Sequence, residues 1–277
     1  MNKIKLIALD LDGTLLNDKK EVSKRNREAL RAAHEKGAEI VFSTGRYYDM
    51  IPDAAKELDF VNYGIFINGA EVYDIKNKKV LSEKIMDLDT CLEALEYIAT
   101  LDVIYDAYVE NKGYMSKDIF AKIYDERYLR SVYHRENIEQ FRTVVPDLFE
   151  FLKEKGKGLQ KFQFFSQDRD KIRRGTEYIR EHYPQFTVSS SLMFNTEING
   201  EGVNKGNALK ILAEKLGIDM SETMAFGDGG NDMVLLKAAG MGVAMDNGMP
   251  EVKSIADYVT LSNNEDGVAY AIEKFLL

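Results

Sequence analysis

Lys5-Leu6-Ile7-Ala8-Leu9-Asp10-Leu11-Asp12-Gly13-Thr14 joins a short apolar run to an acidic turn. Lys5 to Leu9 is rich in Leu and Ile with no polar interruption after Lys5, as expected of a strand buried on both faces. In extended chain Asp10 and Asp12 point the same way, so two carboxylates enter one crevice. Like charges that close need a cation or a shared proton. Gly13 permits the backbone to turn away from the strand. Taken alone, the pair reads either as a site or as solvated turn acids. A calcium loop does not fit. Asp10, Asp12, Thr14 and Glu21 match its ligand positions, but Leu15 replaces the required glycine and a strand comes first.

Outward from this stretch, strands and helices alternate. Ser23 caps a helix that carries Ala29, Leu30 and Ala33 on one face and stops at Gly37. Ile40-Val41-Phe42 is a second buried strand, and a helix is expected from about Asp49 to Leu58 with Pro52 in its first turn. Gly64 to Tyr73 and Lys79 to Lys84 read as a hairpin around Lys76-Asn77-Lys78. The tail alternates too. Asn204 opens a helix closed by Gly217, and Thr223–Phe226, Gly242–Met245 and Tyr258–Leu261 are strands separated by helices. This pattern argues for βαβ units and a parallel sheet with helices on both faces. Residues 84–198 differ. Seven of the 15 tyrosines fall between Tyr97 and Tyr133, and Lys161–Phe165 and Phe186–Ser189 look like strands of another sheet. The expected fold is α/β: a Rossmann-like, doubly wound parallel sheet core over 1–83 and 199–277, interrupted by an inserted α+β module over 84–198.

Composition excludes several classes. With 46 acidic against 37 basic residues, the net charge of −9 argues against a nucleic-acid partner, which needs cations to displace counterions from phosphates. The larger part of that excess lies outside the inserted module. The single cysteine, Cys91, cannot form an internal disulfide, which suits a reducing cytoplasm. The opening residues Met1–Lys5 lead into a stretch too short and too acidic for a signal peptide. No apolar run approaches the ~18 residues of a membrane span.

Three further elements sit where strands end, the place where open α/β sheets bind ligands. Ser43-Thr44-Gly45-Arg46 sets a hydroxyl beside backbone N–H groups, which suits a phosphate oxygen or an ordinary helix cap. Val203-Asn204-Lys205-Gly206-Asn207 puts a cation at a helix start, against the helix dipole. Lys205 therefore has an anionic partner or lies in solvent. Gly227-Asp228-Gly229-Gly230-Asn231-Asp232 gathers oxygen-bearing side chains among glycines, as a hard cation such as Mg²⁺ prefers, or as a helix-capping turn does.

In this order, Asp10-Leu11-Asp12-Gly13-Thr14, Thr44, Lys205 and Gly227–Asp232 resemble the four motifs of the haloacid dehalogenase superfamily. Thr-Gly-Arg at 44–46 and Val-Asn-Lys-Gly-Asn-Ala-Leu at 203–209 resemble its Cof-type phosphatases, whose insertion is a C2-type cap. The resemblance implies an Mg²⁺-dependent phosphomonoesterase for a small phosphorylated metabolite, a sugar phosphate or a phosphorylated cofactor. It implies Asp10 as the nucleophile forming an aspartyl-phosphate, and Asp12 as general acid, then base. It implies Mg²⁺ at Asp10, the Asp12 carbonyl and Asp228, with Asn231 or Asp232 in support. Phosphate contacts would come from Thr44, Lys205, Asn231 and the Leu11 and Gly45 N–H groups. An ordinary Asp, with pKa ~3.9, is anionic at neutral pH as the nucleophile must be. Asp12 must be protonated in its first role, which requires neighbours or substrate to raise its pKa. Other readings are a phosphomutase or phosphotransferase on the same core, or a non-catalytic phospho-acceptor module. The tyrosines Tyr105, Tyr108, Tyr114, Tyr124, Tyr128 and Tyr133 read as packing residues rather than a sugar pocket.

Overall fold

The computed structural model describes residues 4–191 and 194–277. Met1–Lys3, on which the signal-peptide reading begins, lie outside the described residues, as do Leu192 and Met193. The chain forms two units, one running to Glu83 and resuming over Val203–Leu277, the other Lys84–Gly202.

The first unit is built on an eight-stranded sheet. Its order is Tyr258–Val259, Met241–Ala244, Thr223–Gly227, Leu6–Leu9, Glu39–Ser43, Val61–Phe66, Glu71–Asp74 and Lys79–Glu83. The first six strands are parallel, and the last two add as an antiparallel hairpin. Leu6–Leu9 is fully buried. Leu6 and Ala8 face a core with Val41, Ala225, Leu209 and Leu212, while Ile7 and Leu9 point to the opposite face by the two-residue period. From this strand the chain moves to Glu39–Ser43 on one side, and the tail returns Thr223–Gly227 on the other. The strand order reverses there, so the crevice at the carboxyl ends of these three strands is a topological switch point.

Several helix ends follow the sequence closely. Lys24–Glu35 is capped by Ser23, whose Oγ accepts from Asn26 N–H. Lys205–Leu216 is capped by Asn204 and closed by Gly217 at φ 66°.

Two expectations fail locally. The Asp49–Leu58 helix is instead a 3-10 turn, Tyr48–Met50, and a four-residue helix, Asp53–Lys56. Pro52 holds Ile51 in an extended conformation and so breaks the helix at that point. The Gly64–Tyr73 strand is two strands, because Ile67, Asn68 and Gly69 all take positive φ and reverse the chain. A Cβ on Gly69 would collide with the Asn204 carbonyl, so only glycine lets this turn approach the start of the Lys205 helix.

The second unit has a six-stranded sheet in the order Thr187–Ser189, Asn195–Asn199, Lys161–Phe165, Ile104–Val109, Lys112–Ser116 and Arg142–Val145. All neighbours are antiparallel except the last pair. Phe162, Phe164, Ala107 and Ile198 pack with Leu95, Ile98, Leu152 and Ile179 from three helices. The alternate residues Asp106, Tyr108, Lys161, Gln163 and Glu197 are polar and nevertheless buried. Tyr105, Tyr108 and Tyr114 are buried and Tyr124 is exposed, as packing residues and a surface residue would be.

Candidate active site

Asp10, Asp228 and Asp232 come together at the carboxyl ends of the two central strands. Among the described residues they form a group whose carboxylate oxygens lie within 4.8 Å of one another. Asp10 is placed by its own strand, its N–H donating to the Phe226 carbonyl at 3.1 Å. Lys205 Nζ reaches from the first turn of its helix to donate to Asp10 Oδ1 at 2.7 Å and to Asp232 Oδ1 at 2.6 Å. The cation that opposed its helix dipole is thus fully buried between two carboxylates.

Asp232 holds the loop as well as the lysine. Its Oδ2 accepts from the N–H groups of Asp228 at 3.0 Å and Gly229 at 2.9 Å. Both of its oxygens are therefore engaged, and it positions Lys205 and the Asp228 loop. Asp228 Oδ1 accepts from Thr14 Oγ1 at 2.8 Å, tying the fourth motif to the first. Gly13, at φ 80°, lies so close that a Cβ there would collide with the Asp228 carboxylate. Asn231 Nδ2 donates to Asn68 Oδ1 at 3.1 Å. Thr44 is buried at the end of the neighbouring strand, and its Oγ1 accepts from Arg46 N–H at 3.2 Å. Gly45 follows it, and the Leu11 side chain is buried.

The electrostatics separate the acids. Burial pushes the Asp10 carboxyl well above the usual range, and Asp232 and Asp228 add to this against the pull of Lys205. The ordinary value expected for Asp10 is thus not what its surroundings give: its charge depends on Lys205 and on any further cation. Burial, with Asp232, pushes Asp228 up to about 7. For Lys205, burial disfavours the charge, but Asp10 and Asp232 outweigh it and hold the ammonium above the ordinary range.

Asp12 behaves in the opposite way. Arg46 Nε donates to its Oδ2 at 2.7 Å and a second guanidinium nitrogen to its Oδ1 at 3.1 Å, while Lys20 Nζ donates to Oδ1 at 2.9 Å. Burial would raise this carboxyl, but the two cations outweigh it and hold it well below the usual carboxylate range. Of the two expected sources of a raised Asp12 pKa, neighbours or substrate, the neighbours instead lower it, because the fold brings Arg46 and Lys20 onto it, which leaves the substrate.

Lys20, Arg46, Thr14 and Asn68 contact Asp12, Asp228 and Asn231, and residue-by-residue reading missed them. Thr14 and Arg46 stand inside quoted motifs, and Asn68 begins an Asn-Gly turn. No local signal marks Lys20.

A divalent cation fits the acidic group. Its donors are oxygens only, one lysine bridges two of the three carboxylates, and Asp10 and Asp228 are pushed toward neutrality without further positive charge. Among the described residues no helix is long and apolar enough to cross a membrane.

A family model described as haloacid dehalogenase-like hydrolase matches residues 7–272. The chain is 35% identical to a putative phosphatase, YxeH, of Bacillus subtilis (strain 168), over 99% of this chain and 98% of that protein. It is 34% identical to the 5-amino-6-(5-phospho-D-ribitylamino)uracil phosphatase YcsE of the same organism, over 99% of this chain and 96% of that one. A solved haloacid dehalogenase-like hydrolase from B. subtilis superposes with a TM-score of 0.85 at 31% identity, covering 99% of this chain and 100% of that one.

Proposed function

Because this chain belongs to the haloacid dehalogenase-like hydrolases, we propose that it is an Mg²⁺-dependent phosphomonoesterase that hydrolyses a small phosphorylated metabolite through an aspartyl-phosphate. The observation that carries this reading is the buried Lys205 shared by Asp10 and Asp232, with Asp228 in the same oxygen cluster. A nucleophilic carboxylate beside a cation site and an ammonium suits an anionic substrate. Phosphoryl transfer needs chiefly positioning and charge stabilisation. Curated relatives support the substrate class, one being named for a phosphorylated ribitylamino-uracil.

In the first step Asp10 attacks phosphorus, the bond from phosphorus to the leaving oxygen breaks, and the Asp12 proton passes to that oxygen. In the second, Asp12 takes a proton from water, water oxygen bonds to phosphorus, and the Asp10–phosphorus bond breaks to release inorganic phosphate. Lys205 and Thr44, with the Leu11 and Gly45 N–H groups, would bind the phosphoryl oxygens. Asn231 would join them on leaving Asn68. Asp10, the Asp12 carbonyl and Asp228 would hold Mg²⁺, with Asp232 in support, and the ion would neutralise phosphoryl charge and keep Asp10 ionised. Held as a carboxylate by Arg46 and Lys20, Asp12 would serve the second step as it stands, and its proton for the first would arrive with substrate binding.

The test is phosphate release from a broad phosphomonoester panel with Mg²⁺ or with EDTA. Turnover that EDTA and Asp10→Asn both abolish is expected. Full activity in Asp10→Asn would overturn the nucleophile assignment.

A further inference from the structure

Asp12 is gripped by two cations, though one is enough to neutralise it. Arg46 is also held by contacts other than this one. Its side chain is only 10% exposed, and its NH1 donates to the Met50 carbonyl at 2.9 Å. Its backbone N–H is held by Thr44 Oγ1, and its carbonyl accepts from Ile67 N–H at 3.0 Å. A planar guanidinium anchored in this way meets both carboxylate oxygens and sets the plane in which the carboxylate lies.

Lys20 comes from a different segment and is held in an unfavourable backbone conformation, with φ 62°. The turn that imposes this is built by Asn17. Its carbonyl accepts from Lys20 N–H at 2.9 Å, and its side-chain oxygen accepts from the N–H groups of Lys19 and Glu21 at 2.9 and 3.0 Å. Left-handed φ in a lysine is unfavourable and persists where the surroundings impose it, often at working sites. Lys20 remains 30% exposed and Asp12 38% exposed, so as a mere surface bridge this contact would stabilise the fold very little.

We propose that Arg46 and Lys20 are positioning residues for Asp12: the Arg46 fork fixes the plane and reach of its carboxylate, and Lys20 closes on the same oxygen from a strained turn. This rests on the reading of Asp12 as the acid and base of a phosphatase. Neither residue needs to touch the reacting atoms. Their effect must then follow the steps in which Asp12 moves a proton and be absent where it does not.

Two substrates separate those steps. Glycerol phosphate needs its leaving oxygen protonated, whereas dinitrophenyl phosphate releases a phenolate that does not. The ratio kcat/KM reports events up to formation of the aspartyl-phosphate, while kcat also includes its hydrolysis. Arg46→Gln is expected to lower kcat/KM for glycerol phosphate roughly 10²-fold, with at least a roughly tenfold smaller loss for dinitrophenyl phosphate. On the aryl substrate it should give a burst of one equivalent of phenolate, since water attack still needs the base. Arg46→Lys should recover only part of the loss. Lys20→Met should show the same pattern, weakened to roughly tenfold, and this half-buried position keeps the test open if Arg46→Gln does not fold. Adding Arg46→Gln to Asp12→Asn should cost nothing more in kcat/KM for glycerol phosphate. Equal losses on both substrates, or a further loss in the double variant, would overturn the proposal. Wild-type protein inert on both substrates and across the phosphomonoester panel would instead overturn the phosphatase reading beneath it.

Discussion

In the second unit Lys161 meets Glu197 and Arg142 meets Asp106, at 2.9 and 2.6 Å, so two buried cations face two buried anions. In the first, among the described residues, one cation, Lys205, faces both Asp10 and Asp232, with Asp228 in the same group. Both clusters lie at strand residues or strand ends, and both are withdrawn from water. They differ in charge balance. Burial disfavours the Lys161 charge too, but Glu197 and Tyr108 outweigh it and raise the ammonium, as in a self-sufficient pair. In the first unit burial pushes Asp228 up to about 7, and the surplus negative charge of Asp232 adds to this. Burial of charge alone therefore does not mark a site, since a matched pair can simply lock strands in register. An unmatched cluster calls for a ligand that supplies the missing sign.

The largest test of this difference is a pair of isosteric changes. Asp10→Asn should lower turnover by about 10⁴-fold or more, yet unfold no more easily than wild type without added metal, because it removes an unmatched buried charge. Asp106→Asn should do the reverse, lowering the melting temperature while leaving dinitrophenyl phosphate turnover in place. Comparable destabilisation by both changes would break the contrast. Next in size is removal of a cation from the balanced cluster. Arg142→Met leaves Asp106 in a buried site with Gln163 as its remaining donor, at 3.0 Å. It should cost about 3–5 kcal/mol by urea unfolding. A loss below about 1 kcal/mol would show that the pair is no more than a surface bridge in effect.

How far each cluster could be read from sequence follows from chain distance. Asp10 and Asp12 were legible because they are neighbours after a buried strand. Lys205 was legible as a puzzle, a cation at a helix start, and the fold supplied its answer in part from the other end of the chain, at Asp10. The caps at Ser23, Asn204 and Gly217 were legible because a cap is a local bargain between side chain and backbone. By contrast, Lys161–Glu197 and Arg142–Asp106 depend on the register of strands that are far apart in the chain, and no short pattern encodes that. The Arg46 fork on Asp12 was hidden for the same reason, since it spans two strand ends. Pro52 was visible and misweighed: its constraint on Ile51 won over the apolar spacing that suggested a longer helix.

A smaller effect separates the site from an ordinary helix end in the first unit. Gly13 and Gly217 both take positive φ, but only Gly13 has a neighbour, the Asp228 carboxylate, that a Cβ would strike. Gly217→Ala should cost about 1 kcal/mol from backbone strain and leave turnover intact. Gly13→Ala should cost about 1–3 kcal/mol and also displace Asp228, so turnover falls with stability. Urea midpoints and phosphate release on the same preparations check this. Equal stability losses with activity kept in both variants would mean that the contact with Asp228 is slack.

The smallest effect, a shift of a few degrees in melting temperature, is the most direct probe of the surplus charge. Burial and Asp232 raise Asp228 to about 7 in the folded chain, while an unfolded Asp titrates near ~3.9. The folded state thus takes up a proton between those values. Its stability contribution is full below the unfolded pKa and is lost as pH rises through about 7. Asp10, raised by burial, acts in the same direction. Asp12 acts oppositely, but its lowered pKa confines its effect to pH below the ordinary Asp range. Metal-free protein should therefore melt at lower temperature at about pH 8 than at about pH 5 through this cluster. Added Mg²⁺ competes with those protons, so it should raise the melting temperature more at the higher pH. Calorimetric scans with EDTA or with Mg²⁺ across that range decide it. An Mg²⁺ shift independent of pH would place the ion away from Asp10 and Asp228, and the charge imbalance between the two units would then need another explanation.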